Sequence, residues 1–189
     1  MSVTLSDIET LIRELIDDTL KTDGHDVTTY STSKTFTVLE DHATVVSNVT
    51  VNDVTADFVY SSGTNTFTID ESSSITAFII GDVVESFYSY YSSYSSTEIQ
   101  SYIKAALTKL AIKSNKIFTP ISSVIYPEPT YRERCLIAAI TAILIKPNNE
   151  SYRLPDMSIQ VPRSLPVDDL IDKTIAIFKK DVHGVITII

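Results

Sequence analysis

The chain has 189 residues, which is enough for one domain or for one domain with a large insertion. Apolar residues make up 43% and charged residues 21%, a composition that excludes intrinsic disorder and indicates a folded protein. One cysteine cannot form an intrachain disulfide, and only four glycines argue against loops that cradle phosphate groups.

The net charge of −9 disfavours nonspecific binding to nucleic acid or to an anionic membrane. The charge is unevenly distributed, because residues 1–95 carry 3 basic and 15 acidic side chains whereas residues 96–189 carry 12 basic and 9 acidic ones. The longest apolar stretch, Cys135 to Ile145, is interrupted by Thr141 and is shorter than the ~20 residues that a membrane helix needs. We therefore expect no membrane span, and the N-terminal residues show no secretory signal.

The first predicted element is a helix from Ser6 to about Lys21. Its apolar residues recur at helical spacing and form one stripe, which includes Ile8, Ile12 and Ile16. Ser6 and Glu9 have the spacing of a capping box, and Gly24 is a plausible stop signal.

From about Ser33 to Ser93 the apolar period changes to two. Valine, phenylalanine and tyrosine alternate with polar residues, a pattern that is typical of strands with one buried face. Turn signals such as Asn52-Asp53 and Gly81-Asp82 separate the runs. The segment predicts about five short antiparallel strands in a small sheet or barrel.

Helical spacing returns at Ser95, where a second capping box with Glu98 opens a predicted helix that runs to about Ser114. A third box, Thr130 with Glu133, opens a helix to Lys146 that is apolar nearly all round, so its own fold or neighbouring subunits must cover it. A last helix follows Ser164 and Pro166, with acidic residues in its first turn and lysines in its last.

These elements predict an α+β fold: a four-helix core with a small antiparallel β module inserted between helix 1 and helix 2, and an extended C-terminal tail. The predicted domains are a helical core of residues 1–32 and 95–189 and an inserted module of residues 33–94. The proline-rich link from Lys146 to Ser164 is long and irregular, which favours a functional or interface loop.

No spacing of residues in the sequence predicts catalysis, a metal site or a cofactor. The motifs of metalloproteases, redox cysteine pairs, nucleophile elbows and nucleotide-binding loops are absent from the sequence. Asp168, Asp169 and Asp172 are explained by the dipole of the last helix, and the acidic turn at residues 23–26 by a helix end. We expect a protein that is not an enzyme.

Two features favour contacts with other proteins. The first is a strand rich in tyrosine and serine, residue types that make good contact surface, although an ordinary last strand with tyrosines covering a small core is the alternative. The second is an apolar C-terminal segment, which would pair as an edge strand on its own sheet or on a partner chain. The candidate contact residues are Tyr88, Tyr90, Tyr91, Tyr94, Val185, Ile186, Thr187, Ile188 and Ile189.

Five basic residues of the C-terminal half could form one patch that contacts an acidic neighbour, or could lie on an ordinary solvated face. They are Arg132, Arg134, Lys146, Arg153 and Arg163. Of these, we assign Arg153 and Arg163 to the candidate contact set.

In the β segment a strand pair is followed by a Gly-Asp-Val turn and an aromatic strand, over the runs Asn48–Asp53, Phe58–Tyr60, Thr66–Ile69 and Gly81–Tyr90. This arrangement resembles a module of tailed-bacteriophage virion proteins. The flanking capped helices, with an Ala-Ala-Leu core after the module and a buried helix beyond it, resemble those of the head-to-tail connector or adaptor family. The likeness covers about Ser6 to Lys146.

The resemblance implies a structural virion protein of the neck that assembles in the host cytoplasm. Such adaptors form a homo-oligomeric ring, commonly of twelve copies, bind the portal protein and further neck or tail proteins, and extend the channel used in genome ejection. DNA would pass through the lumen without specific binding, and the family has no catalytic residues to carry over. The alternatives are another phage neck or tail structural protein, or a ligand-binding β module on a helical stalk.

Overall fold

The computed structural model describes residues 2–70, 78–114, 116–147, 151–154, 157–160, 165–179 and 186–187, and backbone alone for the last strands of the chain. The described residues form four helices and twelve strands. The helices are α1 (Leu5–Ile16), α2 (Ser96–Ser114), α3 (Tyr131–Ile145) and α4 (Val167–Lys179). The strands are β1 (Leu20–Thr29), β2 (Thr35–Thr37), β3 (Ala43–Val51), β4 (Val54–Thr55), β5 (Phe58–Ser61), β6 (Thr66–Ile69), β7 (Val83–Tyr91), β8 (Thr119–Ile121), β9 (Val124–Tyr126), β10 (Ser151–Leu154), β11 (Met157–Gln160) and β12 (Ile186–Thr187).

The chain divides into two compact units. The helical unit consists of Met1–Asp18 and Ser96–Ile189, and the β unit consists of Thr19–Ser95. β1 lies in the β unit, whereas the predicted helical domain of residues 1–32 includes it and the predicted helix 1 includes its first two residues.

Helix α3 forms the centre of the helical unit. Its residues from Cys135 to Ile143 are buried without interruption, and α1, α2, α4 and β10 pack around it. An apolar helix must lose contact with water on every side, and here the chain itself supplies the cover. The burial of α3 therefore requires no neighbouring subunit.

Capping side chains fix where two helices begin. The predicted box at Thr130 and Glu133 is confirmed, since the Thr130 hydroxyl accepts from the Glu133 amide and the Glu133 carboxylate accepts from the Thr130 amide. In α1 the box is formed by Thr4 and Asp7 instead of Ser6 and Glu9. Both pairs have the required spacing, and the pair nearer the N-terminus caps the helix.

The β unit consists of two antiparallel sheets. One has the strand order β1-β7-β3-β4 and the other β2-β6-β5. One core is shared by both, because alternate residues of these strands point to the same side. The buried members are Val38, Val46, Val49, Val51, Ala56, Phe67, Ile69, Val84 and Tyr88.

The helical unit also contains strands that the sequence did not predict. β8 and β9 form a hairpin, and the N-terminal residues extend it through a bridge from Thr4 to Val124. β10 and β11 are antiparallel, and β12 pairs parallel with β11. The segment from Lys146 to Ser164, predicted as an irregular link, thus contains two strands.

The predicted fold class is wrong as stated. The fold is α+β, but it is not a four-helix core with one small β module and an extended tail. Strands dominate the N-terminal half, and nine strands form three antiparallel sheets. Three of the helices follow the largest sheet along the chain. Residues 186–187 of the predicted tail form a strand of a further, mixed sheet. Leu20 fits the helical stripe of α1 by spacing but lies in β1, because the left-handed Asp17 (φ 56°) ends the helix first.

Candidate functional site

The helical unit contains a groove with a volume of about 410 Å³. It lies where the end of α2, the start of α3 and the end of α4 come together. Its lining consists of Leu110, Ser114, Lys116, Phe118, Thr130, Arg132, Glu133, Leu136, Ile175, Phe178 and Lys179.

The inner lining of the groove is apolar because three helices contribute residues of their buried stripes. Leu110 of α2, Leu136 of α3 and Ile175 of α4 are each buried and each face the groove. Phe118 and Phe178 add two aromatic side chains. A cavity of this size and character suits aliphatic or aromatic groups of a partner.

The rim of the groove is polar and mainly basic. Lys116 forms an ion pair with Glu133, while Arg132 and Lys179 add two further cations. Burial raises the pKa of Glu133, but hydrogen bonds from Lys116 and Thr130 outweigh it and hold the pKa below its ordinary value. Glu133 is therefore ionised at neutral pH, and the four charged side chains described at the rim sum to +2.

The hydroxyl groups of the groove serve helix ends. Ser114 Oγ donates to the carbonyl of Leu110 at 2.7 Å, and Thr130 forms the capping box of α3. Both hydroxyls are thus engaged in local hydrogen bonds at the end of α2 and the start of α3. The apolar inner lining and the basic rim together suit binding of an apolar group that lies beside negative charge.

The β unit presents an exposed apolar turn just before β7. Ile79 and Ile80 are 70% and 74% exposed. The Asp82 carboxylate accepts from the Ile79 amide at 2.7 Å and from the Asn52 side chain at 2.8 Å. These two hydrogen bonds lower the pKa of Asp82, and Gly81 adopts the left-handed φ of 101° that the turn requires.

The structure places the tyrosines of β7 differently from one another. Tyr88 is only 5% exposed, its ring covers Gly24, and its hydroxyl donates to Asp26 at 2.9 Å. Tyr90, Tyr91 and Tyr94 are half-buried, with Lys21 lying 5.6 Å from the Tyr90 ring centre. In this structure Tyr88 covers the core of the β unit, which corresponds to the alternative of an ordinary strand whose tyrosines cover a small core.

Two of the five predicted tail contacts lie within the described residues. Ile186 pairs with Ile159 and Thr187 with Gln160, both on the same chain, which corresponds to the alternative of docking on its own sheet. Val185, Ile188 and Ile189 lie outside the described residues.

The predicted basic patch is brought together only in part. Arg132 and Arg134 both lie in the first turn of α3, and the Arg134 guanidinium lies 5.7 Å from the Tyr131 ring centre. Lys146 donates to the carbonyl of Ile16 and so covers the end of α1. Only the backbone of Arg153 is described, as part of β10, and Arg163 lies outside the described residues.

A buried ionic network was also not predicted from the sequence. Arg13 lies between Glu9 and Asp18, with nitrogen-to-oxygen distances of 2.7 Å and 2.6 Å, and all three side chains are buried. Glu9 also accepts from the Ser96 hydroxyl at 2.8 Å. The spacing of four residues between Glu9 and Arg13 was the available signal, but it does not reveal burial.

The groove and the isoleucine turn were likewise missed. The residues of the groove come from three helices, and no sequence spacing shows which stripe residues meet at an open end. The turn did carry a signal, since two adjacent isoleucines before Gly-Asp break the alternation of a strand with one buried face.

The sequence matches no protein-family model and no curated protein. None of the helices in the described part of the chain has the length and apolarity that crossing a membrane requires. Within that same part, no three His, Cys, Asp or Glu side chains are grouped as ligands for a metal ion.

Proposed function

We propose that this chain is a structural adaptor of a tailed-phage neck, which forms a ring below the portal and extends the DNA channel. The resemblance in the β segment and the flanking helices is the starting point. The observation that carries the proposal is the large set of apolar side chains that the fold leaves exposed on both units. The most exposed among the described residues are Leu39, Val59, Ile79, Ile80, Ile112 and Ile117.

Isolated exposed apolar residues are ordinary on a monomer, but the number and size of those on this chain favour partner contacts. On the helical unit, exposed Ile121 and Tyr126 lie on the same side of the β8–β9 hairpin. On the β unit, Val27, Val45 and Val54 are exposed on strands of the four-stranded sheet. Both units thus offer surface for protein contacts.

The charge of the β unit also supports a role beside DNA without binding it. The unit contains ten acidic and two basic side chains. A net charge of −8 repels the phosphate backbone, so DNA in a channel lined by such units would slide past without adhering.

The proposal is tested by native mass spectrometry and negative-stain electron microscopy of the purified chain, alone and with the portal protein from the same genome. We expect rings of one stoichiometry, with twelve copies as the expected number, that bind the portal. A chain that stays monomeric at high concentration and never binds the portal contradicts the proposal. Binding of glycans by the β unit would favour the alternative of a recognition module.

A further inference from the structure

We infer that the groove of the helical unit receives the Ile79–Ile80 turn of a second copy of this chain. The inference rests on the proposed function, because it names the contact through which the ring would form.

Hydrogen bonds fix the conformation of the Ile79–Ile80 turn before it binds. In the turn that presents Ile79 and Ile80, the Ile79 carbonyl accepts from the Asp82 amide at 3.0 Å, and the Gly81 amide donates to Tyr30 at 2.9 Å. Asn52 joins the turn to the β3–β4 connection by accepting from the Val83 amide at 2.9 Å. An apolar pair fixed in this way loses little conformational entropy when it is buried by a partner.

The receiving part is a hollow with the matching chemistry. Its walls carry two phenylalanines and the aliphatic side chains of Leu110, Leu136 and Ile175, and its volume of about 410 Å³ has room for more than one aliphatic side chain. When apolar groups enter such a hollow, apolar surface of both partners is removed from water. This burial is the main source of association free energy.

Charge selects a second copy as the occupant. The isoleucines are next to the Asp82 carboxylate and belong to a unit of net charge −8, while Lys116, Arg132 and Lys179 outnumber Glu133 at the rim of the groove. Complementary charges around an apolar centre steer association and disfavour partners with a basic surface.

The contact is heterologous, since the turn and the groove are different surfaces of the molecule. A patch that binds itself produces a twofold dimer, whereas a protrusion that fits a hollow elsewhere on the next copy produces a ring or an open filament. The arrangement therefore suits head-to-tail assembly, in which every copy uses both surfaces once.

Disulfide trapping tests the juxtaposition directly. The double variant Ile79→Cys with Ser114→Cys places one thiol on the turn and one in the groove. Under mild oxidation we expect a ladder of covalent oligomers larger than dimers, whereas each single variant yields dimers at most. A double variant that remains monomeric on a non-reducing gel, with or without an internal disulfide, overturns the inference.

Substitution tests the energetics. We expect Ile79→Ser with Ile80→Ser to weaken association at least about 30-fold, as for a central contact of an interface, and Lys179→Glu to weaken it in a salt-dependent way. The matched control for Lys179→Glu is Lys104→Glu, which reverses an exposed cation of the helical unit outside the groove and leaves association unchanged. Both isoleucines are exposed, so circular dichroism of the double variant is expected to match the wild type.

The two proposals fail in different ways. If wild-type rings form but the double serine variant assembles as well as the wild type, the groove contact is wrong and the adaptor role stands. If the wild type neither forms rings nor binds the portal, the adaptor role itself is wrong.

Discussion

The two units of this protein differ in where they place their charged side chains. The helical unit buries Glu9, Arg13 and Asp18 in one network, whereas the buried polar residue described in the β unit is the neutral Ser86. In the β unit, carboxylates such as Asp41 and Asp57 are exposed to solvent. The helical unit therefore depends on charges that compensate each other inside it, and the β unit keeps its negative charge on its surface.

The position of the network explains why charge is buried there. Asp18 is the last residue before the chain enters the β unit, and Ser96 is the first residue after it returns. Arg13 binds Asp18 and Glu9 binds Ser96, so both points are held by adjacent side chains of α1. A buried ionic network adds little net stability, but it disfavours arrangements in which any member lacks its partners.

Breaking the network is expected to have the largest effect. Arg13→Met leaves two buried carboxylates without their cation, which costs about 3–5 kcal/mol in the free energy of unfolding. Urea denaturation followed by circular dichroism measures the loss, and hydrogen exchange locates it in the helical unit.

The control for Arg13→Met is Lys104→Met, which removes an exposed cation from α2 and is expected to change stability by less than about 0.5 kcal/mol. Replacing the whole network, with Glu9→Gln and Asp18→Asn added to Arg13→Met, is expected to be milder than the single change. A loss below about 1 kcal/mol for Arg13→Met would show that the carboxylates find other partners.

The corresponding test in the β unit is steric. A Cβ added at Gly24 would lie 2.4 Å from the Tyr88 ring and 2.8 Å from the Tyr88 carbonyl oxygen. The backbone oxygen belongs to the paired strand β7 and cannot move aside, so Gly24→Ala is expected to cost about 1–3 kcal/mol. Thermal unfolding with hydrogen exchange measures this and assigns it to the β unit.

The matched control for the glycine test is Gly63→Ala, since no atom lies within 4 Å of an added Cβ there. We expect its stability to remain within about 0.5 kcal/mol of the wild type. Equal effects at the two glycines would mean that the packing of Tyr88 on Gly24 is not what limits this position.

Sequence reasoning succeeded where one element contains its own signal. The α3 box at Thr130 and the apolar stripe of α4 are local patterns, and both helices lie where these patterns predict. It failed where two signals overlap or where the signal is short. Leu20 continues the stripe of α1 yet begins β1, and the three-residue strand β8 contains Pro120, so alternation could not reveal it.

The candidate site could be predicted even less, because it is made by tertiary packing. A groove depends on how far each helix extends beyond its neighbours, and Leu110, Leu136 and Phe178 have the same spacing signal as fully covered core residues. Tyr88 carries an ambiguous signal, since a tyrosine on a serine-rich strand suits a core as well as a contact surface, and in the structure its ring packs over Gly24.

Alkaline pH is expected to weaken the β unit. Burial raises the pKa of Tyr88 well above its ordinary value of 10.0, and the hydrogen bond to Asp26 raises it further; burial also raises the pKa of Tyr60. The fold favours the protonated hydroxyls, so their contribution is complete below pH 10 and is lost as the pH rises from there through the folded values.

Spectrophotometric titration of the tyrosines, together with urea midpoints at rising pH, measures this effect. We expect part of the tyrosinate absorbance to appear only as the β unit unfolds, and Tyr88→Phe to remove a share of that late absorbance. A urea midpoint that stays constant as the pH rises above 10 would contradict the expected linkage.

The smallest expected effect on stability, and the one that bears on function, comes from the surface charge of the β unit. Asp23, Asp41 and Asp57 are exposed, so changing all three to Lys shifts the charge of the unit from −8 to −2 and leaves stability within about 0.5 kcal/mol per site. Because DNA affinity depends on the cations that meet phosphates, the triple variant is expected to bind duplex DNA more tightly at low salt than the wild type does.

Gel-shift titrations at two salt concentrations measure this difference in affinity. The control in the opposite direction changes three lysines of the helical unit, Lys104, Lys109 and Lys173, to Gln. A wild-type chain that already binds DNA as well as the triple variant would mean that the acidic surface does not keep DNA away.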